Sequence, residues 1–186
     1  GDDREGDQGR FWVHAETTDK LILFASDGRF FTLECAKLPG GRGQGDPIRD
    51  HIELGPDQDM VAIFVHNPKR MLLLASTAGR GFLTKEADLL ATKRTGKAVM
   101  NVGDAKAAVC VPAQGDCAGV IGKNHKLLIF AVAEVPELAK GRGVILQRYK
   151  EGGLKDACTF NWKDGLRDEN GRTWMPDELK DWKGSR

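Results

Sequence analysis

The sequence predicts an all-β fold built from a repeated four-stranded unit. Four short segments superpose without gaps: Ser26-Asp27-Gly28-Arg29-Phe30-Phe31, Thr77-Ala78-Gly79-Arg80-Gly81-Phe82, Lys123-Asn124-His125-Lys126-Leu127-Leu128 and Glu169-Asn170-Gly171-Arg172-Thr173-Trp174. Their turn positions 28, 79, 125 and 171 lie 51, 46 and 46 residues apart, a spacing typical of bladed and solenoid architectures. Composition agrees: 40% hydrophobic residues with 23 glycines and 7 prolines describe a turn-rich chain rather than a helical bundle. At 186 residues the chain is long enough for one domain with a real core.

Each unit opens with a hairpin. Leu21 to Ala25 and Phe30 to Leu33 flank Asp27-Gly28, and Met71 to Ala75 and Gly81 to Leu83 flank Ala78-Gly79. Glycine supplies the positive φ that tight hairpin turns require. His125 departs from this pattern, and Asn124, which tolerates the left-handed conformation, is expected to carry the third turn. Third and fourth strands are expected at Ile48 to Leu54 and Met60 to Val65, at Ala98 to Val102 and Ala107 to Val111, and at Val144 to Tyr149 and Ala157 to Phe160.

Four strands per period predict propeller-like blades, about four in all, with almost no helix. Phe11-Trp12-Val13-His14 matches Ile63-Phe64-Val65-His66 and reads as the last strand of a preceding blade, while Leu166 to Met175 supplies a first hairpin only. Three whole units with a partial unit at each end predict a piece of a longer chain. The expected domain spans 11–175, with a flexible acidic segment at 1–10 and a flexible or capping tail at 176–186.

A net charge of +1 conceals uneven distribution. Lys69 to Lys97 holds seven basic residues against Glu86 and Asp88, and Lys123 to Lys150 holds six against Glu134 and Glu137. Acids collect at Gly1 to Asp19 and at Asp46 to Asp59. The long loops before the third strands are glycine-rich and basic together: Gly40-Gly41-Arg42-Gly43-Gln44-Gly45, Lys93-Arg94-Thr95-Gly96-Lys97 and Lys140-Gly141-Arg142-Gly143. Backbone N–H groups and cations offered repeatedly at this spacing fit a polyanion with regular phosphates.

Other chemistry finds no support. No G-x-G-x-x-G opens a helix, and Gly96-Lys97 is followed by Ala98, with Ala91 where a P-loop needs its first glycine. The four histidines have no metal spacing, and three serines include no nucleophile elbow, so neither a catalytic nor a metal site is expected. Cys35, Cys110, Cys117 and Cys158 lack C-x2-C spacing and read as reduced, mostly buried thiols. The aromatic residues lie mainly in apolar strands and read as core, although Phe30 and Phe31 must place one ring on each sheet face. No apolar run is long enough for a membrane helix and no export signal opens the chain, which predicts a cytoplasmic location.

The succession of hairpin, Gly-Arg-Gly loop and third strand, clearest in Lys140-Gly141-Arg142-Gly143-Val144-Ile145-Leu146-Gln147-Arg148-Tyr149, resembles the C-terminal β-pinwheel of bacterial topoisomerase IV A subunits. Leu38-Pro39-Gly40-Gly41-Arg42-Gly43 and Arg94-Thr95-Gly96-Lys97 carry the same likeness, which runs from about Gly9 to Trp182. The Q-R-R-G-G-K-G heptad that marks the gyrase relative is missing, which favours topoisomerase IV.

The resemblance implies a disc whose basic rim engages duplex DNA without sequence preference, guiding the transported segment and tuning topology preference in decatenation and supercoil relaxation. It implies a nucleoid-associated parent enzyme with its catalytic tyrosine upstream, a partner ATPase (B) subunit, and ATP and Mg used through other domains, none by this one. Candidate DNA contacts are Arg29, Arg80, Lys126 and Arg172 at the hairpin turns, with Arg42, Lys93, Arg94, Lys97, Lys140, Arg142 and Arg148 in and after the long loops. Tyr149, the single tyrosine, reads as structural or DNA-facing rather than catalytic. The alternatives are a gyrase-type DNA-wrapping domain and a propeller platform for regulatory proteins. No Trp-Asp dipeptide supports the commonest platform family.

Overall fold

The computed structural model describes residues 13–38 and 48–186. The acidic opening, the loop at Gly40 to Gly45 and the start of the Phe11 strand fall outside the described residues. The fold is all-β, with a single four-residue α-helix, α1 (Pro176–Leu179), and short 3-10 turns.

Three antiparallel sheets form the blades. The first contains β1 (Lys20–Ala25), β2 (Arg29–Glu34), β3 (Met60–Val65) and β6 (Lys97–Ala98), in the order β3-β1-β2-β6. The second contains β4 (Met71–Ser76), β5 (Arg80–Lys85), β7 (Ala107–Pro112) and β10 (Val144–Ile145), in the order β10-β5-β4-β7. The third has three strands, β8 (Cys117–Gly122), β9 (Leu127–Ala131) and β11 (Leu154–Phe160), in the order β11-β8-β9. A two-stranded hairpin, β12 (Leu166–Arg167) and β13 (Thr173–Trp174), follows.

The blades are buried on both faces, which explains why their first strands read as continuous apolar runs rather than alternating ones. In β4, Leu72 and Leu74 pack against Ile22, Phe24 and Phe30 of the first blade. Leu73 and Ala75 face the other way, onto Val120, Phe130 and Leu146. Each such side chain removed from water contributes about 1.5–3 kcal/mol. The same sandwiching buries both Phe30 and Phe31, so neither ring is an exposed stacking platform. Phe30 stacks on Phe24 at 4.3 Å between centroids.

The predicted hairpins form, and each turn has a residue at positive φ: Gly28, Gly79, His125 and Gly171. The expectation for the third turn needs correction. His125 itself takes the left-handed conformation, with φ 67°, while the side-chain Oδ1 of Asn124 accepts the N–H of Lys126 at 3.0 Å.

A larger correction concerns the blade boundaries. A blade is not one sequence repeat, because the third strands of the second and third units leave their own hairpins and join the preceding blade. β6 pairs with β2 (Arg29↔Ala98, Phe30↔Lys97), and β10 pairs with β5 (Gly81↔Val144, Arg80↔Ile145). The donated strand then crosses the turn of the receiving hairpin. The carbonyl of Gly28 accepts the N–H of Met100, and that of Gly79 accepts the N–H of Leu146. A Cβ on Gly28 would stand 1.9 Å from the Met100 carbonyl oxygen, and one on Gly79 2.3 Å from that of Gln147. Glycine at these two turns therefore answers to a close approach as well as to φ.

The donated strands are also shorter than the apolar runs that predicted them, two residues each. Ile48 to Leu54 is not a strand: Ile48–His51 forms a 3-10 turn. Ile48 and Ile52 both pack into the cluster around Leu23 and Phe31; a spacing of four falls on one face of a helical turn and on one face of a strand alike, so the apolar pattern does not separate the two. In the tail, α1 buries Leu179, and the Gly184 N–H reaches the Ile129 carbonyl of β9 at 2.8 Å. All four cysteines are free thiols, Cys117 buried and the other three partly so. None of the helical segments is long and apolar enough to cross a membrane among the described residues.

Candidate nucleic-acid interface

The fourth strands β3, β7 and β11 pack beside one another, which sets them at the inner edges of the blades. The donated strands β6 and β10 lie on the opposite, outer edges. The basic loops of the second and third units run directly into those donated strands, so the fold carries their cations to the outer edge. The two loops are also joined: the Gly141 N–H reaches the Val99 carbonyl and the Asn101 N–H reaches the Gly141 carbonyl, both at 2.9 Å. Arg142 extends beside the Gly103 backbone.

The candidate residues divide by what holds them. Lys93, Lys140, Arg142 and Arg148 are exposed and have no side-chain hydrogen bond or ion pair among the described residues, and Lys126 is the same. Arg94 and Lys97 are exposed but tethered, Arg94 to the Asp50 carbonyl at 3.0 Å and the Lys97 ammonium to the Asp88 carbonyl. Both tethers leave the positive charge unneutralised.

Arg29 and Arg80 are only partly exposed, and each clasps the loop that brings in a donated strand. Arg29 donates to the Thr95 carbonyl and to Asp27, both at 2.7 Å, and Arg80 donates to the Gly143 carbonyl at 2.9 Å. Arg172 pairs with Glu178 at 2.7 Å and lies over the Trp174 ring at 3.6 Å. The hydrogen bond from the Met175 N–H, followed by that from Arg172, holds the Glu178 carboxyl below its usual range. Arg42 lies outside the described residues.

Tyr149 sits between blades. Its ring lies across the turns at Gly79 and Gly122, where a Cβ would stand 2.8 Å and 2.4 Å from ring carbons. Its hydroxyl is enclosed without a hydrogen-bond partner among the described residues. Burial pushes its pKa up to about 12. These contacts give the ring a packing role.

Two features escaped the sequence reading. One is the exposure of Lys123 and His125 beside Lys126, for which the broken glycine pattern at 125 was the available signal. The other is a fully buried carboxylate, Glu86, held by Arg70, by the Asn67 N–H and by His66 Nδ1 at 2.7 Å. Nothing in the local pattern marks Glu86 as buried, since it stands in a polar turn between Lys85 and Asp88.

Comparison with known proteins places this architecture. The family described as "DNA gyrase C-terminal domain, beta-propeller" matches residues 70–106 and 120–154. The chain is 49% identical over 185 residues to the DNA topoisomerase 4 A subunit of Caulobacter vibrioides and 40% identical to that of Rickettsia conorii, in each case over 98% of its own length. It spans about a quarter of the length of these curated relatives. The solved E. coli ParC C-terminal domain superposes with a TM-score of 0.79 at 25% identity, covering 92% of this chain and 75% of that one. By profile, relatives and fold, the chain belongs to the family of C-terminal β-pinwheel domains of type IIA topoisomerase A subunits, a non-catalytic domain, and it groups there with topoisomerase IV.

Proposed function

We propose that this domain binds duplex DNA through its phosphates along the outer edge of the blades, guiding the segment that the parent enzyme transports. The observation that carries this reading is the set of exposed cations without side-chain partners among the described residues, Lys93, Lys140, Arg142, Arg148 and Lys126, on loops and turns that strand donation links from blade to blade. Charges paired within the fold would gain little from DNA. Unpaired ones release condensed counterions when they meet phosphates.

In the parent enzyme, strand cleavage belongs to another domain, and ATP and Mg serve through that catalytic domain and the partner B subunit. The pinwheel then biases which DNA topology is processed in decatenation and relaxation, at the nucleoid in the cytoplasm. A mobility-shift titration of the chain against linear duplex at two salt concentrations tests the proposal. Replacing Lys140, Arg142 and Arg148 with alanine should weaken binding for all sequences alike and lower the slope of log K against log salt by up to about 2.7. Binding confined to one sequence, or a slope that the triple variant leaves unchanged, would overturn it.

A further inference from the structure

The four hairpin turns look equivalent in sequence, but three of them have their cations or their surface already engaged. In the first, Gly28 is buried under the donated strand, Ser26 is buried beside Gln58 and Asp59, and Arg29 is bound to Asp27 and Thr95. In the second, Ser76 and Gly79 are also buried and Arg80 is bound to Gly143. The fourth is exposed but acidic, with Asp168 accepting from the Trp174 indole and Arg172 spent on Glu178.

The third turn differs on every count. Lys123, Asn124, His125 and Lys126 are all exposed, and neither lysine nor His125 makes a side-chain hydrogen bond or ion pair among the described residues. Arg148 is brought next to it, because the neighbouring Gln147 side chain donates to the Lys126 carbonyl at 3.3 Å and the Tyr149 ring lies against Gly122.

His125 also sets this turn apart sterically. In the first two blades a carbonyl of the donated strand comes within 1.9 and 2.3 Å of where a turn Cβ would be, which only glycine permits. His125 has a Cβ at that position with φ 67°, so a strand seated in the same register would collide with it. The tail repeats the first contact of such a strand. Gly184 N–H binds Ile129 of β9 as Leu138 N–H binds Leu83 of β5, each at 2.8 Å. Arg186 then binds the carbonyls of Glu134 and Ile145.

We infer that the turn Lys123–Lys126 is a dedicated phosphate-binding site of this domain, with Lys123 and His125 acting beside Lys126 and Arg148 on the DNA backbone. The inference rests on the duplex-binding reading above and assigns the leading contact to one turn rather than to all four. Among the four hairpin turns, charge, exposure and lack of side-chain partners among the described residues coincide only there. The site reads no bases: lysine side chains on a tight turn reach phosphates, and readout of base edges requires an element laid in a groove.

The test uses the whole chain and a fluorescent linear duplex of mixed sequence, with anisotropy read across a salt series. Replacing Lys123 and Lys126 together with alanine should lower the salt slope by about 1.8, which makes binding about tenfold less sensitive to a fourfold rise in salt. The matched double replacement of Arg29 and Arg80 should leave the slope unchanged. Circular dichroism confirms that each variant is folded, and glutamine at 123 and 126 provides a second neutral pair should alanine disturb the turn. If the lysine pair leaves the slope intact while the Lys140, Arg142 and Arg148 variant lowers it, the third turn is not the site, although the domain still binds DNA. If the unaltered chain shows no salt-dependent binding, the duplex-binding reading fails and this inference falls with it.

Discussion

Arg70 and Glu86 form an ion pair inside the protein, Nε to Oε1 at 2.5 Å, with the carboxylate wholly removed from solvent. Both oxygens of Glu86 are used, since the other accepts from the Asn67 N–H and faces His66. Replacing Arg70 with methionine strands this charge, and the expected loss is about 3–5 kcal/mol of unfolding free energy. Replacing Glu86 with glutamine and Arg70 with methionine together should cost much less, because no buried ion remains. Urea unfolding of the two variants measures the difference, and equal losses would show that the carboxylate is not what the arginine serves.

The turn residues should respond in opposite directions. Gly28→Ala and Gly79→Ala force a Cβ into a donated strand's carbonyl and should destabilise by about 1–3 kcal/mol or detach that strand. His125→Gly relieves a left-handed residue with no strand upon it and should stabilise by up to about 1 kcal/mol. Thermal unfolding of the three variants decides this, and a destabilised His125→Gly protein would show that the imidazole is anchored.

Arg29 and Arg80 serve strand donation. Each alanine variant should cost about 1.5–3 kcal/mol of stability, the range for hydrogen bonds to a charged donor. Hydrogen exchange should show the loss first in the amides of Val99, Met100 and Leu146, which bind the turn carbonyls. Uniform loss of protection across the blades would point instead to global unfolding.

Alkaline titration isolates one residue, because the sequence has a single tyrosine. Burial raises the Tyr149 pKa to about 12, so below the ordinary value near 10 both folded and unfolded chains hold the proton. Between 10 and 12 the unfolded chain ionises and the folded one does not, so stability falls as pH rises through that window. Tyrosinate absorbance should show a midpoint near 12 in the folded chain, and Tyr149→Phe should remove this part of the alkaline destabilisation. A midpoint near 10 would mean that the ring is not enclosed.

The hairpins and their period were legible because they are local. Apolar runs such as Met71 to Ala75, a turn and a second run lie within a dozen residues, and burial on both faces makes the signal strong. Which blade receives the third strand was not legible, since the Arg29↔Ala98 pairing joins residues in different repeats and depends on the path of the whole chain. The third runs misled in a second way. Val144 to Tyr149 looks like a strand throughout, but only Val144–Ile145 pairs with the receiving blade before the chain crosses its turn. For the candidate interface, the sequence located the cations and their loops. It could not separate Arg80, bound to Gly143, from Lys126, whose ammonium has no partner among the described residues, because identical repeat positions give no sign of which side chains the neighbouring strand will occupy.

Strand donation also bears on how such a chain changes by duplication. The second and third repeats each contribute an acceptor hairpin and a donor strand in the same phase, so copying such a period whole would insert a blade that is completed by its neighbour and completes the one before. A duplication out of phase leaves a hairpin edge bare or a strand without a seat. Growth by whole periods therefore keeps donors and acceptors matched, and the geometric control sits in a single turn residue. Glycine there admits the donated strand, and a side chain such as that of His125 bars it in this register.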